Sequence, residues 1–394
     1  MSSYISSNAN RFYTGLEGSY GVAAAVTAAN RIPALQLTVQ QQTSTADRKD
    51  KTGSRTFVGN PSGGRLRTNY ELRTYLTSWQ AGSSGPSYGP LFQAALGGTP
   101  LAFAGGTVAS VTGSRVGLAA PHGLAPGQGV RCGGEIRFAA AIVDPSTVEL
   151  NAPFSNPPAA GVAVGAAVTY VPATALPSVS VYDYWSPQTA VQRLLCGAAV
   201  DQMEILVNGD YHEFRFSGLA QDVVDSASFG SVSVGGGAAQ LTSFPAEPTL
   251  GGFDYTIVPG NLGEAWMGAA PTQFLTITSA TFVLKNNLDT RSKEFGSRVP
   301  LAISPGERTV TAMFSLYGMD DTATEELYQA ARQQSPISVM FQLGVTQGQV
   351  MGVFLKSVVP EVPEFDDSGN RLQWKFRSSR ARGTVDDEVV MAFG

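Results

Sequence analysis

Residues 296–308 read Gly296-Ser297-Arg298-Val299-Pro300-Leu301-Ala302-Ile303-Ser304-Pro305-Gly306-Glu307-Arg308. A strand-like run precedes them, and Arg308 opens another. The first half of the chain holds the same order: a strand-like run, Gly53-Ser54-Arg55, Pro61, then Arg65 opening a strand. Further matches follow in sequence. Leu91-Phe92-Gln93-Ala94-Ala95 parallels Leu327-Tyr328-Gln329-Ala330-Ala331. The turn Asn208-Gly209 has a counterpart in Ser368-Gly369, and Phe214-Arg215-Phe216-Ser217 parallels Phe376-Arg377-Ser378-Ser379. Each copy ends in Phe-Gly, at Phe229-Gly230 and Phe393-Gly394. One short identity arises by chance. Several in one order point to a duplicated unit rather than to two β segments with similar turns.

The unit reads as β. Residues 35–39 and 66–76 alternate apolar and polar, the mark of a half-buried strand. Residues 309–316, 338–343, 349–358, 372–377 and 389–393 also read as strands. Each copy carries one helix. Pro90 near the start and Gly97 past the end frame the first. Thr322-Ala323-Thr324-Glu325 fits a capping box for the second, which Pro336 stops. Asn208-Gly209, between strands 203–207 and 212–217, is a strong hairpin signal. Residues 187–195 stay open between a helix begun at Ser186-Pro187 and a strand over 192–196. The expected fold is mainly β: two tandem β-sandwich or barrel domains, each with one flanking α-helix, plus a small inserted all-β domain.

The insert is residues 99–175. It is almost uncharged and rich in Ala, Gly, Val and Pro, with short strands at 108–112, 130–132, 136–142, 147–150 and 167–171. The second copy passes from helix to strand in a few residues, so these are extra. The expected map is an N-terminal arm (1–30), a discontinuous first unit (31–98 and 176–230), the insert (99–175), a linker or arm rich in Gly, Ser and Pro (231–272), and a second unit (273–394).

Composition narrows function. Charged residues are 14% of the 394, well below the ~25% of ordinary soluble domains. So low a density suggests a surface covered by further copies of the chain. The formal charge of −5 argues against a protein that holds nucleic acid by its phosphates. No apolar run approaches the ~18 residues of a membrane span, and the N-terminus has no basic start or apolar core, so neither membrane nor secretory signal is expected. Cys132 and Cys196 cannot make a disulfide framework and read as buried thiols. His122 reads as a turn residue and His212 as a surface or interface residue, leaving few ligands for zinc. Asp386-Asp387-Glu388 lacks the spaced oxygens of a calcium loop. Gly235-Gly236-Gly237 lacks the Lys-Ser/Thr of a phosphate loop. The expectation is a protein with no catalytic residues, cofactor or metal.

Two long loops carry charges of both signs. The first holds Asp47, Arg48, Lys49, Asp50, Lys51 and Arg55; the second holds Asp289, Arg291, Lys293, Glu294 and Arg298. A solvated loop is the plain reading. The favoured one is that these loops stack on a neighbouring ring, pairing with acids such as Asp366, Asp367, Asp386, Asp387 and Glu388. Complementary charge would set register there more than affinity. Open sheet edges favour the same view, because unpaired edges template association and repeated units can close about an axis.

On these residues the second half resembles the major tail tube proteins of long-tailed (siphovirus-type) bacteriophages. Lys285-Asn286-Asn287-Leu288-Asp289, the loop to Gly296-Ser297-Arg298, Pro305-Gly306, the helix with Leu327 and Ala331, and Pro360 to Pro363 carry the resemblance. The first half, with 47–55 and 197–216, looks like the same unit. The insert, with Pro121-His122-Gly123-Leu124, is similar to small β modules that decorate virion proteins. The resemblance implies stacked rings around a lumen that conducts the genome. A two-unit member would form a trimeric, pseudo-hexameric ring, its sheets joined into one barrel and its helices outside, with 203–207 and 349–358 as wall strands. A net negative lumen would let DNA pass without specific binding. Implied partners are further copies, tape measure, terminator and distal tail proteins; the implied location is the virion tail, assembled in the host cytoplasm. The rival expectation is a phage or cell-surface β-rich adhesin or decoration protein. A glycan-cleaving tailspike is a third, although no stretch argues for paired carboxylates in an aromatic cleft.

Overall fold

The computed structural model describes residues 4–60, 63–79, 84–229, 241–253 and 255–394. Pro61, Gly230 and Gly235-Gly236-Gly237 lie outside them. The protein is mainly β, with large antiparallel sheets, a small closed barrel and two α-helices among the described residues. In chain order, β1 (Asn10–Leu16), the short β2 (Arg31–Ile32), β3 (Ala34–Ser44) and β4 (Arg65–Tyr75) precede α1 (Gly89–Leu96). Next, β5 (Leu101–Phe103) leads into a barrel and β12 (Ala167–Tyr170) leads out. The barrel strands are β6 (Gly106–Thr112), β7 (Arg115–Leu118), β8 (Gly129–Cys132), β9 (Glu135–Asp144), β10 (Thr147–Leu150) and β11 (Ala163–Gly165). Four strands follow: β13 (Val179–Trp185), β14 (Arg193–Val207), β15 (Glu213–Ala220) and β16 (Asp222–Asp225). Then come β17 (Gly263–Gly268), β18 (Thr272–Gln273), β19 (Ile277–Lys285), the small β20 (Asp289–Thr290) and β21 (Ile303–Ser304), and β22 (Thr309–Tyr317). The chain ends with α2 (Thr322–Gln333), β23 (Ile337–Leu343), β24 (Met351–Val359), β25 (Glu364–Asp366), β26 (Gln373–Ala381) and β27 (Val390–Phe393).

The duplication is visible in pairing register. The hairpin β3–β4 sets Ala34 opposite Thr74, then slips one residue before Gln36–Arg73 and Leu37–Leu72. The hairpin β19–β22 sets Ile277 opposite Leu316, slips at the same place, and resumes with Ser279–Ser315 and Ala280–Phe314. The pair β13–β14 slips between Val179 and Val181, and β23–β24 between Ile337 and Val339. The remaining partners correspond too. β1 and β17 each flank that pair, β15 and β26 each bridge it to the hairpin, and β16 and β27 each lie along its long strand. A bulge costs a ladder bond and bends a strand, so shared positions mark one architecture used twice. Register also moves one match: Phe214 corresponds to Trp374, not Phe376, because Glu213–Tyr75 is the counterpart of Gln373–Tyr317.

Four readings change. Gly263–Gly268, read as part of a linker, is a strand paired along its whole length with β23. Asn10–Leu16, read as part of an arm, is a strand held by β13 along its whole length. Residues 187–195 give no helix; Arg193 onward is β14, with strands on both sides. The cap of α2 is Asp321, whose carboxylate accepts from Thr324 N–H at 2.7 Å, one position before the expected box.

The barrel is narrower than the insert. β5 and β12 pair with each other, and β12 pairs with β27, so they form a stalk stitched to the second repeat. One continuous core runs through both repeats. It includes Leu91 and Phe92 of α1, Phe214 and Phe216 of β15, Phe282 and Phe314, Leu327 of α2, and Phe393. Phe92 packs edge-on against Phe214, Phe216 and Phe393 at ring separations of 5.1, 5.3 and 5.0 Å. Such pairs add about 0.5–1.5 kcal/mol each beyond burial, and they tie the last strand to the first helix.

Candidate functional site

The two repeats share a sheet. The second half of β14 pairs with β15 on one side and β19 on the other, with Gln202 opposite Lys285 and Leu206 opposite Thr281. The resulting order is β3–β4–β15–β14–β19–β22–β26–β25, four strands from each repeat. Among the described residues neither end strand, β3 nor β25, has a second partner. Period-2 alternation gives the sheet a buried face and a polar one. On β4, Thr68, Tyr70, Leu72 and Thr74 are buried while Arg65 and Arg67 are exposed and Glu71 and Arg73 half-buried. Both helices contribute to the core on the buried side.

Many charges of the polar face pair with one another, whereas among the described residues the exposed Arg67 and Lys285 make no ion pair. Arg73 bonds Glu213 at 2.6 Å, and Arg215 reaches Glu204 at 3.2 Å and Glu71 at 3.6 Å. In the second repeat Lys375 pairs with Asp366, and Arg377 with Glu364. Lys375, helped by the Ser368 hydroxyl and N–H, holds the Asp366 carboxyl well below the usual range.

Most of the acids proposed for ring stacking are engaged within the chain. Arg308 pairs with both Asp386 and Glu388, Lys356 bonds Asp387 at 3.0 Å, and Asp366 is held by Lys375. Among the described residues Asp367 makes no ion pair. The loop charges are exposed except for the half-buried Glu294, and two pairs are local: Arg48–Asp50 at 2.5 Å, and Arg291–Glu294. Asp47, Lys49, Lys51 and Asp289 are exposed, as is Lys293, whose carbonyl accepts from Arg65 at 2.9 Å. Arg298 instead donates from Nε to Gly64 O at 3.2 Å, and its carbonyl accepts from Leu66 N–H at 2.7 Å. The second loop therefore lies along the root of the first hairpin. Arg55 is exposed at the equivalent place in its own loop.

Sequence reasoning missed the junction residue, Asn286. It is 2% exposed; its side chain donates to Ala95 O and Val200 O, both at 2.9 Å, and its N–H donates to Asp201 O at 2.7 Å. Nothing local marks it, because its partners lie in the other repeat.

The histidines, the cysteines and Arg137 lie in structural contacts. His122 braces a barrel turn: Nδ1 accepts from Leu124 N–H at 2.9 Å. His212, expected at a surface, is buried at 1% exposure, with Nε2 2.9 Å from Leu262 O. Burial pushes its pKa down. Cys132 and Cys196 are buried free thiols pushed up by burial. Arg137 is fully buried where the barrel meets the second repeat, bonding Glu135 at 2.7 Å and Glu264 at 2.8 Å. Among the described residues no group of three His, Cys, Asp or Glu side chains could hold a metal. No helix there is long and apolar enough to cross a membrane.

No family model matches the chain, and no curated protein sequence does. Among solved structures it is similar to the SPP1 tail tube determined by solid-state NMR and cryo-EM. Identity is 11%, the match covers 35% of this chain and 80% of that one, and the TM-score is 0.27. A likeness that small carries no weight, and the reading of function rests on the geometry above.

Proposed function

We propose that this protein is a structural subunit that closes rings through its sheet edges, and that the rings stack into a bacteriophage tail tube. The observation that carries this is the junction β14–β19. One chain already joins repeat to repeat by edge pairing, and it leaves the same two kinds of edge open at its ends. A rotation that repeats the internal joint closes a ring, which removes exposed edges. Three chains would supply six repeats and pseudo-sixfold order.

The polar face suits a conduit wall. Where its cations are engaged by carboxylates, as Arg73, Arg215, Lys375 and Arg377 are, they hold DNA phosphates less tightly, so a duplex would slide rather than bind there. On this proposal the two loops, with Asp47, Arg48, Lys49, Lys51, Asp289, Arg291, Lys293 and Glu294, meet the next ring. In this reading the chain is not an enzyme and needs no cofactor. It works in the virion tail among copies of itself and other tail proteins.

Negative-stain microscopy of purified protein tests the proposal. Threefold rings with doubled lobes, or hollow tubes stacked from them, are expected. Monomers at high concentration that bind or cleave glycans would favour an adhesin or tailspike and end this reading.

A further inference from the structure

We infer that residues 38–55 of one copy dock on the β25 edge and adjoining cavity of a second copy, as residues 281–298 dock on the first repeat within the chain. This deepens the ring-closing reading and rests on it. The internal joint has three parts. The edge of β19 pairs with β14. Beyond its end Asn286 enters a niche, bonding Ala95 O, Val200 O and Asp201 O, while Leu288 N–H donates to Asp201 Oδ1 at 2.8 Å. Finally Arg298 reaches Gly64 O at the root of the opposite hairpin.

Every receiving part has a counterpart in the second repeat, and there the place is open. Register carries Ala95, Val200 and Asp201 onto Ala331, Pro360 and Glu361, which line a cavity of about 900 Å³ beside Arg308 and Arg380. Gly64 corresponds to Gly306. A Cβ on Gly64 would stand 2.2 Å from Ser44 O, and one on Gly306 2.5 Å from Asn287 O, so both hairpin roots use the same close approach. Ile205 of β14 is fully buried under β19, whereas its counterpart Phe365 is 51% exposed. That ring lies where the core would continue if a strand were added.

The donating parts are also repeated. Register carries β19 onto β3 without a gap, and the same spacing brings Gly296-Ser297-Arg298 onto Gly53-Ser54-Arg55. The joint between copies therefore sets Thr38 opposite Asp366 and Gln40 opposite Glu364, and brings Arg55 to the carbonyl of Gly306. Arg55 thus acts sideways within a ring, not between rings. Thr43 stands where Asn286 does. Its hydroxyl has one proton to donate where the amide offers two, so the joint between copies is the weaker of the two.

Cross-linking reads the register. In the Thr38→Cys, Asp366→Cys double variant, oxidation is expected to give a ladder of linked chains on a denaturing gel. Thr38→Cys with Glu364→Cys, two residues out of register, is expected to give none. The native Cys132 and Cys196 are buried and add no background. Gln40→Cys with Glu364→Cys is a second in-register pair should the first fold poorly. Rings by microscopy without linkage in either pair overturn this inference and leave ring closure standing. Absence of both rings and linkage overturns both.

Discussion

At the residue scale the polar interior is specific. His212 is buried beside Leu262 O, and burial depresses its pKa, so the folded protein takes up its proton at lower pH than the unfolded chain does. The unfolded chain takes up a proton from about pH 6.5 downward. Its contribution to stability is therefore full above that value and is lost as pH falls toward the folded pKa, at up to about 1.4 kcal/mol per pH unit. Thermal unfolding of His212→Gln should show a shallower decline than the native protein between pH 7 and 5. Parallel curves would show that the histidine does not set the slope. That burial was not legible, because a histidine after a hairpin turn looks the same whether or not residues fifty positions away cover it.

At the scale of elements, one amide braces the joint between repeats. Asn286→Ala removes the donor from two buried carbonyls, at a cost of about 2–3 kcal/mol. The urea midpoint should fall accordingly. An unchanged midpoint would mean that water or backbone shifts replace the bonds. The strands themselves were largely readable. Alternation over β4 and β22, Asn208-Gly209 at the β14–β15 turn, and Gly97 at a φ of 98° after α1 each act within a few residues. β1 and β17 were not. Asn10–Leu16 and Gly263–Gly268 share no pattern, and only their equivalent places beside β13 and β23 relate them.

At the scale of the whole molecule, the barrel is an addition to a frame whose two repeats pair without it. Its stalk joins β27, and Ile136 and Phe138 pack against Trp266 and Phe354. Excising 106–165, so that Gly105 meets Ala166, uncovers that patch and should lower stability by about 3 kcal/mol from lost burial. Both edges of the eight-stranded sheet remain, so ring symmetry by microscopy should be unchanged. A shortened chain that folds yet forms no rings would show that the barrel takes part in closure.

The sequence by itself determined most of the strands, where they turn, and that one unit occurs twice, since alternation, caps and turn residues act over a few positions. Tertiary structure alone decided which edges meet. A strand presents similar N–H and C=O groups on either side, and only the burial of both repeats in one core selects β19 for β14. The same selection leaves β3 and β25, among the described residues, with a partner on one side only.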